Sequence, residues 1–119
     1  MKVCYIAHPI SGDIPGNLEK IRQIARNINL QRNDVVPFAP YWLDCHALDD
    51  NNPEERARGI RNDHELFSRN FIDELWLYGT RISAGMQAEI EHAHSLNIPV
   101  VCKTFHVKLA YKKLFPKVL

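Results

Sequence analysis

Short apolar runs and longer stretches of helical periodicity alternate along this chain, and the alternation defines its elements. Residues 3–7, 35–40, 72–78 and 98–102 are mostly apolar runs bounded by Gly, Pro, Asn or Asp, the pattern of buried strands. Pro37 and Pro40 mark the second of these as short and near a sheet edge or end. Between the first two runs, Leu18, Ile21, Ile24, Ala25 and Ile28 recur at helical spacing, with Asn17 as the expected N-cap. A second helix is expected from Pro53 to about Asn70, opened by proline and acids, with Gly59 a point where it kinks or divides. A third runs over residues 84–96 with Asn97 closing it, and a last short helix with basic flanks covers 107–115. Residues 41–52, rich in aromatics, acids and asparagines, read as a long loop lining or covering a site.

Strands alternating with helices imply right-handed crossovers and a parallel sheet covered on both faces. The expected architecture is a single-domain three-layer α/β/α sandwich, flavodoxin-like or Rossmann-like, with a four- or five-stranded parallel sheet over residues 1–119. In such sheets ligands bind beyond the carboxyl ends of the strands. That directs attention to the segment from Ser83 to Glu89, at a strand-to-helix junction, where Gly85 and Glu89 are four apart on one helix face. The same residues admit a plain structural account: Ser83 as a helix cap, Gly85 as a packing glycine, Glu89 as a solvated acid. Tyr5 and His8 flank the end of the first strand, and Tyr5 fits the core as well as a site. Asp63, taken alone, reads as a solvated helix acid.

Composition narrows the chemistry. The chain has 119 residues, 45% of them hydrophobic, enough for one core without metal or disulfide support. Fifteen basic against 14 acidic residues leave a formal charge of +1, so no long-range field draws polymeric nucleic acid or an anionic membrane. Cys4, Cys45 and Cys102, odd in number and widely spaced, read as reduced thiols of a cytoplasmic protein, and no run approaches a membrane span. The loop from Ser11 to Gly16 lacks both the dinucleotide glycine spacing and the P-loop Lys-Ser/Thr. It precedes a helix and can offer backbone N–H groups and the Ser11 hydroxyl to a phosphate. His92 and His94 face different ways on their helix, and no H-E-x-x-H occurs, so no metal site is expected.

Tyr5-Ile6-Ala7 with the Pro9 to Gly12 loop, Asp63, Ile72 to Trp76, Ser83 to Glu89 and Ile98 to Val101 together resemble the nucleoside 2-deoxyribosyltransferase superfamily. The likeness is greatest to its short bacterial and phage members, through Asp-Asp-Asn-x-Pro-Glu-Glu-Arg at residues 49–56 and Ile82-Ser83-x-Gly85-Met86-x-x-Glu89. The resemblance implies that Glu89 is the nucleophile at the anomeric carbon, Tyr5 orients it, and Asp63, with Glu65 as competitor, protonates the leaving base. Ser83 stands where deoxynucleoside 5'-monophosphate N-hydrolases carry serine, which tolerates a phosphate that a carboxylate would repel. Ser83, Gly85, Ser11 and Gly12 would then hold sugar and phosphate beside His8, while Tyr41, Trp42 and Met86 pack on the base. The implied activity is an N-glycosidase or deoxyribosyltransferase for nucleosides or their 5'-monophosphates, in a homo-oligomer and without cofactor. The alternative is a non-catalytic nucleotide-binding module that senses or sequesters its ligand.

Overall fold

Side-chain alternation in the first strand sets up two separate cores. In the computed structural model, which describes residues 1–117, β1 (Lys2–Ala7) sends Cys4 and Ile6 to one face of the sheet and Tyr5 and Ala7 to the other; all four are fully buried. β2 (Val35–Phe38) and β3 (Glu74–Leu77) flank β1, and β4 (Val100–Cys102) lies beyond β3, giving an all-parallel sheet of order β2-β1-β3-β4. Tyr5 stands opposite Phe38 on one side and Leu75 on the other.

The helices are α1 (Ile14–Gln31), α2 (Tyr41–Ala47), α3 (Pro53–Phe67), α4 (Ala84–Ser95) and α5 (Phe105–Leu114). Ile24 and Ile28 of α1 pack on Cys4, Ile6, Val35 and Trp76, closing one face. Phe67 of α3, Met86, Ile90 and Ala93 of α4, and Val107 and Tyr111 of α5 close the other against Tyr5, Ala7, Leu75 and Leu77. The result is a three-layer α/β/α domain of flavodoxin-like type with four strands. Among the described residues, no helix is long and apolar enough to cross a membrane.

Several element boundaries differ from those expected. α1 begins at Ile14 rather than after Asn17, because the Asp13 carboxylate caps it by accepting from the Gly16 N–H at 3.1 Å. Pro15 sits in the first turn, where its missing N–H costs nothing, and Asn17 donates its side-chain amide to the Ile10 carbonyl at 3.0 Å. Residues 41–52 are not one loop, since Tyr41–Ala47 forms α2. A helix of two turns is too short for periodicity to reveal, and tertiary anchors hold it: the Trp42 indole donates to the Leu18 carbonyl at 2.9 Å, and the Tyr41 hydroxyl donates to the Ile6 carbonyl. α3 passes through Gly59 unbroken and ends at Phe67, short of Asn70. Asn97 lies just beyond the C-cap Leu96 of α4 with φ 58°, a left-handed conformation that asparagine tolerates better than most residues.

Candidate active site

The chain leaves β1 through α1 toward β2, then returns past β1 to form β3. The gap beyond the carboxyl ends of β1 and β3 is therefore the switch point of the sheet, where adjacent loops diverge and a crevice opens. Gly79 lets the loop after β3 approach the loop after β1: its φ is +92°, and a Cβ there would lie 2.7 Å from Pro9 Cδ.

Two helices deliver acids to this crevice. Asn52 caps α3 by accepting from the Glu54 N–H at 3.0 Å and the Glu55 N–H at 3.3 Å, while Glu55 reaches back to the Asp49 N–H at 3.0 Å. From that start Arg56, Ile60, Asp63 and Phe67 fall at helical spacing along one side of a cleft of about 470 Å³. Ser83 caps α4 by accepting from the Met86 N–H at 3.2 Å, and Gly85, Met86, Glu89 and His92 form the facing wall.

Tyr5 joins the two walls. Its hydroxyl lies 2.7 and 2.8 Å from the two Asp63 oxygens and also contacts Glu89 Oε2. Both carboxyls thus converge on one phenolic hydroxyl. Around them lie apolar and aromatic groups, with Phe67 at 4.7 Å and Tyr41 at 5.8 Å from the Tyr5 ring, centroid to centroid. Burial disfavours the charged forms: Asp63 is pushed up to about 6 and Glu89 well above the usual carboxylate range, by desolvation first and then by the negative charge of Asp63. The pair accordingly holds one proton near neutral pH. Desolvation and the nearby carboxyls also raise the Tyr5 phenol well above 10, so Tyr5 remains a neutral donor.

Of the residues read from sequence, Tyr5 touches the acid pair, while His8, Ser11, Tyr41, Asp63, Ser83, Gly85, Met86 and Glu89 line the cleft. Asp63 and Glu65 separate cleanly: Glu65 is exposed and pairs with Arg69 at 2.8 Å, outside the cleft. Gly12 lines a neighbouring cavity. Trp42 does not line the cleft at all; its ring packs on His46 at 4.3 Å, and its indole N–H is used in docking α2 on α1. A Cβ on Gly85 would meet only Ser83 Oγ, at 4.0 Å, so nothing in the fold requires glycine there.

Sequence reading missed the imidazole wall. His64 and His92 stack at 4.2 Å with 19° between ring planes, and His92 stacks on Phe67 at 5.1 Å. The signal was present in the spacing, since His92 follows Glu89 by one helical step and His64 adjoins Asp63. His94 points away from this wall and bonds the Tyr111 hydroxyl at 2.8 Å.

Fold and crevice together define a flavodoxin-like α/β domain with paired carboxyls at its switch point. The chain belongs to the domain-of-unknown-function family DUF7768, which it matches over residues 2–103, a span that holds all four strands and both carboxyls. No curated protein and no solved structure matches it significantly.

Proposed function

We propose that this protein cleaves the base–sugar bond of nucleosides or nucleoside 5'-monophosphates, with Glu89 as nucleophile and Asp63 as acid. The observation that carries this reading is the Tyr5 hydroxyl between two half-buried carboxyls, both held above the usual carboxylate range. Breaking an N-glycosidic bond takes a carboxylate to meet positive charge developing at the anomeric carbon and an acid to protonate the departing base. One ionised and one protonated carboxyl meet both needs.

Before substrate binds, the deeper desolvation of Glu89 favours keeping the proton on that residue. The Tyr5 hydroxyl, in contact with both acids, is the route by which a proton passes to Asp63 as substrate enters. Glu89 then attacks as carboxylate, forming a C–O ester as the C–N bond breaks. The released electron pair stays on the base nitrogen, which takes the Asp63 proton. Water, or the nitrogen of an acceptor base, next attacks the sugar carbon, giving its proton to Asp63 and freeing Glu89. Tyr5 holds Glu89 in line throughout, and the His64, His92 and Phe67 wall offers stacking surface for a base.

Ser83 supports acceptance of a 5'-phosphate. Its oxygen accepts the Met86 N–H, which leaves its hydroxyl proton free for an anion. The resemblance to deoxyribosyltransferases also carries a homo-oligomer, readable by light scattering. To test the activity, purified protein is incubated with nucleosides and their 5'-monophosphates, with and without an acceptor base, and products are separated chromatographically. Base release or exchange by wild type and its loss in Glu89→Ala supports the reading. Undiminished release by Glu89→Ala removes Glu89 as nucleophile, and binding without release anywhere in the panel favours a nucleotide-sensing or sequestering module.

A further inference from the structure

A second cavity of about 480 Å³ opens beside the acid cleft, and His8 and Ser11 line both. Loops leaving β1, β3 and β4 meet there, so it extends the same crevice along the strand ends. Its lining is of opposite character. Lys20 and Arg81 line it together with Ser11 and Thr80, while the Thr104 hydroxyl at its edge is engaged with the Gly79 carbonyl and the Val107 N–H. Asp13 is the one carboxylate in the lining, and it is engaged in capping α1. Among the described residues, neither Lys20 nor Arg81 has a carboxylate within ion-pair reach. Arg81 Nη2 donates to the Ser11 carbonyl at 3.0 Å and reaches the Ser11 hydroxyl at 3.5 Å, which holds the guanidinium beside the cavity with Nε and Nη1 uncommitted.

A single 5'-phosphate held at Ser11 and Ser83 stays within the acid cleft and its shared wall. It leaves unused the cations beyond, in a separate space of about 480 Å³. Lysine and arginine facing hydroxyls and backbone turns is the chemistry of a phosphate chain. We infer that the basic cavity takes the outer phosphates of a nucleoside 5'-polyphosphate whose sugar lies in the acid cleft. The substrate class is then nucleoside di- and triphosphates ahead of monophosphates, an assignment that rests on the glycosidic reading above and extends its substrates to longer phosphate chains.

Calorimetric titration of wild type with one nucleoside and its 5'-mono-, di- and triphosphates, at fixed ionic strength, tests this directly. Affinity is expected to rise about tenfold or more from mono- to diphosphate, the size of a charge-assisted contact. Lys20→Ala should cut the di-to-monophosphate ratio toward one, and Arg81→Lys, which keeps the charge but not the fork, should cut it in part. Equal or tighter binding of the monophosphate, or a gain that survives both variants, overturns the inference. Tight binding of inorganic tripolyphosphate that fails to compete with the nucleoside triphosphate overturns it too, by making the cavity a separate anion site. Base release measured on the same samples distinguishes the two claims. Release with no phosphate gain leaves the glycosidic reading standing alone, whereas a Lys20-dependent gain without release keeps the polyphosphate site and removes the glycosidase.

Discussion

The two faces of the sheet are built from neighbouring residues of one strand and bury groups of different kinds. Cys4 and Ile6 meet Ile28, Val35 and Trp76 in a core whose charged groups stay at its rim. There Lys103 lies 3.7 Å from the Trp76 ring centroid, and Glu74 accepts from the Trp76 indole at 2.7 Å while pairing with Lys2. Tyr5, one residue away and equally buried, carries a hydroxyl into contact with two carboxyls whose charged forms are both opposed by burial. A fold selected only for stability gains nothing from two desolvated acids side by side. The difference separates a face closed by apolar packing from one that adds two desolvated acids to its core, a cost in stability that the proposed chemistry would explain.

The comparison sharpens most at Glu89. Glu89→Gln keeps the shape and removes the shared proton, so base release is expected to fall about 10³-fold or more, within the range for a group acting on a proton or nucleophile. Chromatography of released base reads it. On the opposite face, Ile6→Ala removes a fully buried side chain and should lower unfolding free energy by about 2–5 kcal/mol in urea titration. Turnover per folded molecule should not change, and a specific loss of turnover there would break the division between faces. Tyr5→Phe deletes the donor but not the ring, and a loss of about 10²-fold in kcat is expected with little change in KM.

The acid pair also sets a pH signature in stability. Folded Asp63 and Glu89 bind their proton more tightly than the unfolded chain does, so the native state carries the excess proton, and stability from this pair falls as pH rises. The fall begins near the ordinary carboxyl range of about 4. It passes through the value of about 6 for Asp63 and continues toward the higher one for Glu89. Buried His8 and partly buried His92 are held by desolvation below the ordinary histidine range and act in the opposite sense, losing stability as pH drops below about 6.5. Subtracting the Glu89→Gln curve from wild type isolates the carboxyls, and the variant should melt higher than wild type at pH 8 by more than at pH 5. Smallest in size, Gly85→Ala should gain up to ~1 kcal/mol of stability, because glycine in a helix has no packing excuse here. It should lower turnover if substrate approaches the backbone at that point.

Much of the fold was legible because buried parallel strands are written as apolar runs and α4 as a regular stripe. Gly85 and Glu89 could be placed on one face from spacing alone. The burial of Asp63 could not, since it depends on how α3 packs against a strand 58 residues earlier, and the helix itself reads as polar and exposed. Trp42 stood in an apparent loop beside a candidate site, yet its indole was needed to dock α2, a helix too short to announce itself. Arg81 sits in an aperiodic loop, where only tertiary structure tells that it faces a cavity.

The most direct measurement is the configuration of the sugar product when methanol is supplied as acceptor and a β-nucleotide as substrate. Attack by Glu89 followed by attack of methanol inverts the anomeric carbon twice, so the β-methyl glycoside is expected by NMR. The α-methyl glycoside would mean that methanol reaches the carbon in a single displacement, which contradicts Glu89 as the nucleophile.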